Sequence, residues 1–340
     1  MPPPEALEYV LPLRWETDEG LDELTTYLRR LAGWADVTVV DGSPAPLFDR
    51  HHRAWSVVRH IAPERPGANG KARGAMTGID HSRHERIVIA DDDVRYSRDE
   101  LRRVSALLDE ADFVRPQNVF RPLPWHARWD TGRTLLNRAL GGDYSGTVAL
   151  RRSALRGRAY DTDVLFENLQ LERTVRALGG RILVADDLFV ARHPPTVGRF
   201  LEQRVRQAYD DFAQPVRLVR ELLVLPAAVR AIARGRWLAL AGGVVAVVVL
   251  AEAGRRRAGG TTAFAPTAAL WAPLWLAERA VTVWLAVALR LRGGVRYRDS
   301  RLARAASSVR SLRRAADAAT AADPSPEASV TKEDPHVRAA

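Results

Sequence analysis

The sequence predicts an α/β protein with a doubly wound, mostly parallel sheet in roughly its first two thirds, followed by C-terminal transmembrane helices. Three observations carry this expectation. From Tyr9 onward, short apolar runs alternate with longer amphipathic stretches, the pattern of strands joined by helices. Two of those runs stop abruptly at acidic residues, and beyond Trp237 two apolar stretches far exceed what a strand needs.

The elements follow in order. Residues 1–8 are proline-rich and acidic with no basic region ahead of an apolar run, so they read as a flexible N-terminus rather than a signal peptide, and the chain is expected to begin in the cytoplasm. Tyr9 to Leu13 reads as the first strand. Val37 to Val40 is a β-branched run ended by Asp41-Gly42-Ser43, Lys71 to Asp80 reads as a helix, and Arg86 to Ala90 is a strand ended by Asp91-Asp92-Asp93. Over Arg98 to Ala111, helical spacing puts Leu101, Val104, Leu108 and Ala111 on one face, toward a core. Ligands of open α/β sheets bind outside the carboxyl ends of the strands, so both acidic strand ends are expected to face one crevice.

This sheet domain is expected over residues 9–215, an interfacial helix or linker over 216–236, membrane segments over 237–292, and a juxtamembrane segment with a disordered tail over 293–340. A membrane-crossing helix needs about 20 apolar residues. Trp237 to Ala253 is marginal by that measure, and Ala263 to Leu291 is long enough but carries Glu278 and Arg279. Such a pair is costly in lipid unless its members pair or face protein, which predicts a bundle or a broken helix there. Arg230, Arg234 and Arg236 precede the first run, and Arg290, Arg292, Arg296 and Arg298 follow the second, with Arg255-Arg256-Arg257 between. The heavier flanks favour both ends cytoplasmic, with the middle cluster outside or the pair forming a re-entrant hairpin.

Composition narrows the chemistry. The absence of cysteine excludes disulfides, thiolate nucleophiles and zinc–thiolate sites, and fits a reducing compartment. A net charge of +10 favours polyanionic partners: nucleic acid, acidic lipid head groups or diphosphates. The arginines are spread through helices and membrane flanks with no basic–aromatic module, so nucleic acid is not an expected partner, whereas membrane lipids are.

Three segments offer ligand chemistry. Asp41 can accept hydrogen bonds from a nucleotide or close a turn after its strand. Asn69-Gly70-Lys71 opens a helix whose first turn includes Gly74, presenting backbone N–H groups and an ammonium to phosphate oxygens. Asp91-Asp92-Asp93 sets three carboxylates side by side, which repel unless a cation or a set of donors compensates; a hard divalent cation shared with substrate phosphates fits, as does a solvated acidic loop.

The runs Val39-Val40-Asp41-Gly42-Ser43, Asn69-Gly70-Lys71-Ala72-Arg73-Gly74 and Ile89-Ala90-Asp91-Asp92-Asp93-Val94, in this order and spacing, resemble the nucleotide-binding half of the family 2 glycosyltransferases. The resemblance covers about Tyr9 to Tyr209. It implies a GT-A fold in which Asp91-x-Asp93 holds manganese or magnesium against the diphosphate of a nucleotide-sugar donor, with Pro12, Asp41, Lys71, Asp91 and Arg206 on the donor side. Ser145-Gly146-Thr147-Val148-Ala149-Leu150 is similar to the family's acceptor-side segment, implying Gly146 and Thr147 there. Phe166-Glu167-Asn168-Leu169-Gln170-Leu171 is similar to its Glu-Asp segment, but the usual base position holds Asn168, which cannot accept a proton at neutral pH. Glu167 is the natural replacement as catalytic base, with Asp161 and Asp163 as competitors upstream and Glu172 one turn on; its structural alternative is an acid stabilised at a helix start. His193 matches a late histidine that some GT-A enzymes supply to the metal, and otherwise reads as a loop residue.

Gln203-Arg204-Val205-Arg206-Gln207 resembles the Gln-x-x-Arg-Trp signature of processive synthases, implying Gln203 on the acceptor side and Arg206 near the diphosphate, or Arg206 facing solvent. Gln207 replaces the tryptophan and removes its stacking surface. Trp271-Ala272-Pro273-Leu274-Trp275 through Glu278-Arg279, then Trp284 and Gly293 to Arg298, looks like the membrane end of family 2 enzymes acting on lipid-linked acceptors. The resulting expectation is a metal-dependent inverting glycosyltransferase with a lipid-linked or glycan acceptor, multi-pass in the cytoplasmic membrane, its catalytic domain in the cytoplasm. A processive glycan synthase and a catalytically degenerate membrane scaffold are the alternatives.

Overall fold

The computed structural model describes residues 6–142, 145–297 and 300–322. Most of the expected N-terminal flexible segment, Arg298 among the flanking arginines, and almost all of the expected disordered tail lie outside them. Strands β1 (Leu7–Leu13), β2 (Asp36–Asp41), β3 (Arg59–Ile61), β4 (Arg86–Ala90), β5 (Val94–Arg95), β6 (Phe113–Phe120), β7 (Thr147–Arg151) and β8 (Ile182–Arg192) build one sheet in the order β3-β2-β1-β4-β7-β6-β8-β5. Helices α1 (Leu21–Leu31), α2 (Ala45–Ala54), α3 (Gly70–Asp80), α4 (Arg98–Leu107), α5 (Trp125–Leu140) and α6 (Glu167–Ala177) lie between strands.

Strand alternation explains the two cores. Tyr9, Leu11, Val39, Val88 and Ala90 face one side, where Leu24, Leu28, Trp55, Leu101, Val104, Leu108 and Ala111 cover them. Val10, Val40, Ile87, Ile89 and Val148 face the other, under Ala75, Met76, Ile79, Leu171 and Val175. The helix expected to reach Ala111 ends at Leu107, but all four apolar positions are buried, Leu101 and Val104 on α4 and Leu108 and Ala111 in the turn beyond it. Asn69 caps α3 by accepting from the amides of Lys71 and Ala72, and Ser97 with Glu100 forms a capping box on α4.

The sheet departs from the mostly parallel expectation. β3, β2, β1 and β4 are parallel, but β7 runs antiparallel to both β4 and β6, and β5 antiparallel to β8, so the sheet is mixed. The reason lies in α5. It does not cross over the sheet to return the chain parallel; it packs outward on the C-terminal helices, and the chain re-enters from the opposite end.

Beyond the sheet come α7 (Val197–Tyr209), α8 (Pro215–Ala233), α9 (Trp237–Arg256) and α10 (Ala272–Leu291). Two helical stretches, Trp237–Thr262 and Ala268–Leu291, are long and apolar enough to cross a membrane. The apolar stretch from Ala263 is interrupted by a 3-10 turn, Ala268–Trp271, before α10 begins. Glu278 and Arg279 both face protein: Arg279 is fully buried, with Nη1 2.9 Å from Asp211, and Glu278 lies 3.5 Å from Arg204, which also meets Asp130 at 3.1 Å.

The end of α9 is clasped to the sheet domain. Buried Arg138 of α5 donates to the carbonyls of Gly254 and Arg257, at 3.1 and 2.5 Å, so a cation satisfies the unpaired carbonyls of a helix C-terminus. A Cβ at Gly254 would collide with the backbone of Leu135, so glycine permits the close approach of α9 to α5. Strands β9 (Val295–Tyr297) and β10 (Ser300–Leu302) then pair antiparallel, and α11 (Val309–Ala322) packs on α6. Between them the carbonyls of Arg304 and Ala305 accept from the amides of Leu165 and Phe166. The described residues of the region expected as a juxtamembrane segment thus include a strap and a helix packed on the sheet domain.

Candidate active site

The carboxyl ends of β1, β2 and β4 meet at one place, and Trp15 links them. Its amide donates to Ser43 Oγ at 2.8 Å and its indole N–H to Asp92 Oδ2 at 2.5 Å, connecting the two acidic strand ends.

At the end of β4, donors compensate the three carboxylates. Lys71 Nζ stands 2.5 Å from Asp91 Oδ1 and 2.6 Å from Glu167 Oε1. Arg192, the last residue of β8, meets Asp93 at 2.9 Å and Asp91 at 3.4 Å. Burial opposes charge on Lys71, yet the two carboxylates outweigh it and raise its pKa, keeping the ammonium charged. Burial pushes Asp93 up to about 6, with Arg192 opposing and Asp91 and Asp92 adding to the rise. Gly146 is needed beside this cluster: a Cβ there would sit 2.6 Å from Asp91 Oδ2. Its amide is held by Asn118 Oδ1 at 2.7 Å and its carbonyl accepts from the Asp91 amide at 2.9 Å.

Glu167 opens α6 and is part-buried between Lys71 and Asn69. Asn168 turns away, its amide donating to the Ser145 carbonyl at 2.9 Å. Asp163 accepts from the Ala68 amide, and Asp161 accepts from the Asp163 amide and pairs with Arg304, so both staple the loop beside α3. Glu172 is buried against Arg115 and Arg176.

The remaining expected residues lie as follows. Asp41 is fully buried: Oδ1 accepts from the Ser43 amide, and Oδ2 lies 2.6 Å from His51 Nδ1 and 3.0 Å from His60 Nε2. Burial would raise its pKa, but these partners, His60 foremost, hold it at about 2. Both oxygens are thus engaged by protein. Pro12 packs under Gly74 of α3. Thr147 is buried, donating to the Ile89 carbonyl and meeting Tyr96. Gln203 and Arg206 are half-buried on α7. Next to them, burial pushes Asp210 up to about 8 against the pull of Arg206, and the side-chain oxygens Asp210 Oδ1 and Gln207 Oε1 are buried without hydrogen bonds.

His193 donates its backbone amide to the Asp93 carbonyl at 2.7 Å, while burial and Arg95 lower the pKa of its ring. Among the described residues, the side-chain clusters with metal-ligand spacing are Asp41-His51-His60 and Glu8-Asp36-His84; Asp91, Asp93 and His193, the expected metal set, are in neither. A cleft of about 370 Å³ at the ends of β1 and β2 is lined by Arg14, Asp41, Ser43, Phe48, Pro63 and Arg73 among others. Sequence reasoning missed Trp15, His51, His60, Asn118 and Arg192. Only Arg192 left a usable signal, as a cation closing the apolar run Leu188 to Ala191 immediately before His193.

No family model and no curated protein matches the chain. Solved structures do. The mannosyltransferase PcManGT from Pyrobaculum calidifontis, in complex with GDP-Man and Mn2+, aligns at 20% identity over 84% of this chain and 89% of its own, with a TM-score of 0.51. Glucosyl-3-phosphoglycerate synthase from Mycobacterium tuberculosis, in complex with Mn2+, UDP and phosphoglyceric acid, aligns at 19% identity over 57% of this chain and 72% of its own, with a TM-score of 0.39. At this identity the likeness to the mannosyltransferase is one of fold: a distantly related glycosyltransferase-like architecture with two candidate C-terminal membrane-spanning helices.

Proposed function

We propose that the chain is a membrane-attached, metal-dependent glycosyltransferase of the GT-A type, moving a sugar with inversion from a nucleotide diphosphate donor to a lipid-linked or glycan acceptor. The observation that carries this is Lys71, whose ammonium joins Asp91 at the end of β4 to Glu167 at the start of α6. A donor-side carboxylate and a candidate base thereby share one cation at the carboxyl edge of a sheet whose fold matches a mannosyltransferase over most of its length.

The donor set fits a hard divalent cation such as manganese or magnesium. Asp91 and Asp93 offer carboxylate oxygens that are partly exposed, and the glycine at 146 keeps the space beside Asp91 open. Bound there, the ion would neutralise charge gathering on the departing diphosphate. The protein's own groups do the rest. Lys71 and Arg192, the cations paired with these carboxylates, would serve the phosphate oxygens as charge-assisted donors. Phe48, Arg14 and Arg73 line a cleft suited to the nucleoside, with Asp41 fixing its wall through His51 and His60. Glu167 accepts the proton of the acceptor hydroxyl. Inverting transfer needs that base on the face of the sugar opposite the leaving group.

A degenerate scaffold is the second reading, favoured by one observation: Asn168, at the usual base position, uses its amide to hold the Ser145 carbonyl. Donor hydrolysis or transfer by the full-length protein in detergent, with and without manganese, separates them. Metal-dependent release of nucleoside diphosphate supports the enzyme; nucleotide-sugar binding without turnover on any acceptor supports the scaffold.

A further inference from the structure

We propose that α10 lies along the membrane surface rather than across it, seating its outward apolar stripe in the acyl chains of an anionic leaflet. A crossing helix must leave the water-facing body at one end. α10 is attached to that body at its start, middle and end. Ala272 and Trp275 sit in the apolar cluster with Leu135 and Leu136 of α5. Arg279 is buried 2.9 Å from Asp211. Ala286 packs with Tyr209 and Leu165, and Arg290 Nη1 lies 3.2 Å from the Tyr209 hydroxyl. From Ala272 to Arg290 these attachments cover about 27 Å, close to the thickness of a bilayer's hydrocarbon core. Standing upright, the helix would carry its whole protein partner into lipid, including the ionic groups Asp130, Arg204, Asp211, Glu221, Glu278 and Arg279.

The opposite face is apolar. Leu274, Ala277, Val281, Trp284 and Leu285 recur at helical spacing and are all exposed, with Leu291 beyond them. This stripe fits lipid, for two reasons. Exposed apolar side chains also cover the neighbouring α9, including Leu238, Val244, Val245 and Val249. In addition, Arg292 just past the end of α10 and Arg296 in β9 are exposed within a stretch, 286–297, that contains no acid, which complements anionic head groups. α9 is then the element that enters the bilayer. Its residues 237–246 are almost all exposed and lie far from the end of the helix that Arg138 holds to the sheet domain.

The cysteine-free chain makes the test direct. Single substitutions Ala277→Cys, Val281→Cys and Ala288→Cys, spin-labelled in the full-length protein and reconstituted into phosphatidylcholine–phosphatidylglycerol vesicles, report depth from their relative accessibility to oxygen and to a nickel chelate. A helix lying flat gives one shallow depth for all three, within about 5 Å, whereas Leu238→Cys, Val245→Cys and Val249→Cys on α9 give graded depths. A difference of about 16 Å between positions 277 and 288 shows a crossing helix and overturns the proposal. So does shielding of the α10 labels from lipid, which would assign the stripe to a protein partner. Leu274→Cys and Leu285→Cys repeat the measurement at the same spacing, so the loss of one variant leaves the outcome decided. Depth is read without substrate and is therefore independent of whether the protein turns over a donor.

Discussion

Lys71 Nζ stands 2.5 Å from Asp91 Oδ1 while Glu167 Oε1 holds it from the other side at 2.6 Å, so one ammonium serves two carboxylates separated by 76 residues of chain. Replacing it by methionine removes a charge-assisted donor from the proposed diphosphate site and leaves two carboxylates facing each other. Binding of a nucleoside diphosphate with manganese should weaken by about 10- to 100-fold, the worth of one hydrogen bond to a charged group. Titration calorimetry on Lys71→Met checks this, and unchanged affinity would remove Lys71 from the donor site.

Asp93→Ala should abolish the metal dependence of donor binding while leaving a weaker, metal-independent remainder. In the variant Arg192 loses its nearest carboxylate and remains available to phosphate. Calorimetry with and without manganese reads both parts, and equal metal dependence in variant and parent contradicts the assignment.

Glu167→Gln should bind nucleotide sugar as the parent does and transfer it about two to four decades more slowly, the range of general-base catalysis. Asp161→Asn and Asp163→Asn serve as the contrast, since both carboxylates hold loop backbone. If they collapse turnover while Glu167→Gln does not, the helix-start acid is structural and the base lies upstream.

Asp41 links stability to acid. Its partners lower its pKa from an ordinary 3.8 to about 2, so its contribution is complete above about pH 4 and is lost as pH falls toward 2. That displacement corresponds to about 2 kcal/mol. Asp41→Asn should lose about that much stability at pH 7 in denaturant unfolding of the full chain and show a shallower decline between pH 4 and 2. Parallel parent and variant curves over that interval would show that the histidines do not stabilise the carboxylate.

The strands carrying the site were legible because β-branched runs ending in acid leave a local trace. Arg86 to Ala90 emerged as a strand with the expected bounds, and the α4 face was read from spacing alone. The mixed pairing was not legible, because alternation of strands and helices says nothing about whether a helix crosses the sheet, and α5 does not. The engaged state of Asp41 was equally hidden, since His51 and His60 reach it through tertiary packing from α2 and β3. Hydropathy found the apolar length of α10, and its Glu278-Arg279 pair pointed to a protein-facing side, but the attachment itself was hidden. That depends on Arg279 meeting Asp211, a residue 68 positions earlier.

The pairing of the Arg304 and Ala305 carbonyls with the amides of Leu165 and Phe166 also bears on the birth of the protein. A ribosome makes the segment leading into Glu167 about midway through the chain, but the residues that hold it arrive only after α8, α9 and α10 have been synthesised. The corner around Glu167 is therefore completed last, once the apolar helices have met their surroundings. A nascent or prematurely terminated chain possesses every acidic residue of the site yet lacks the strap that fixes one of them.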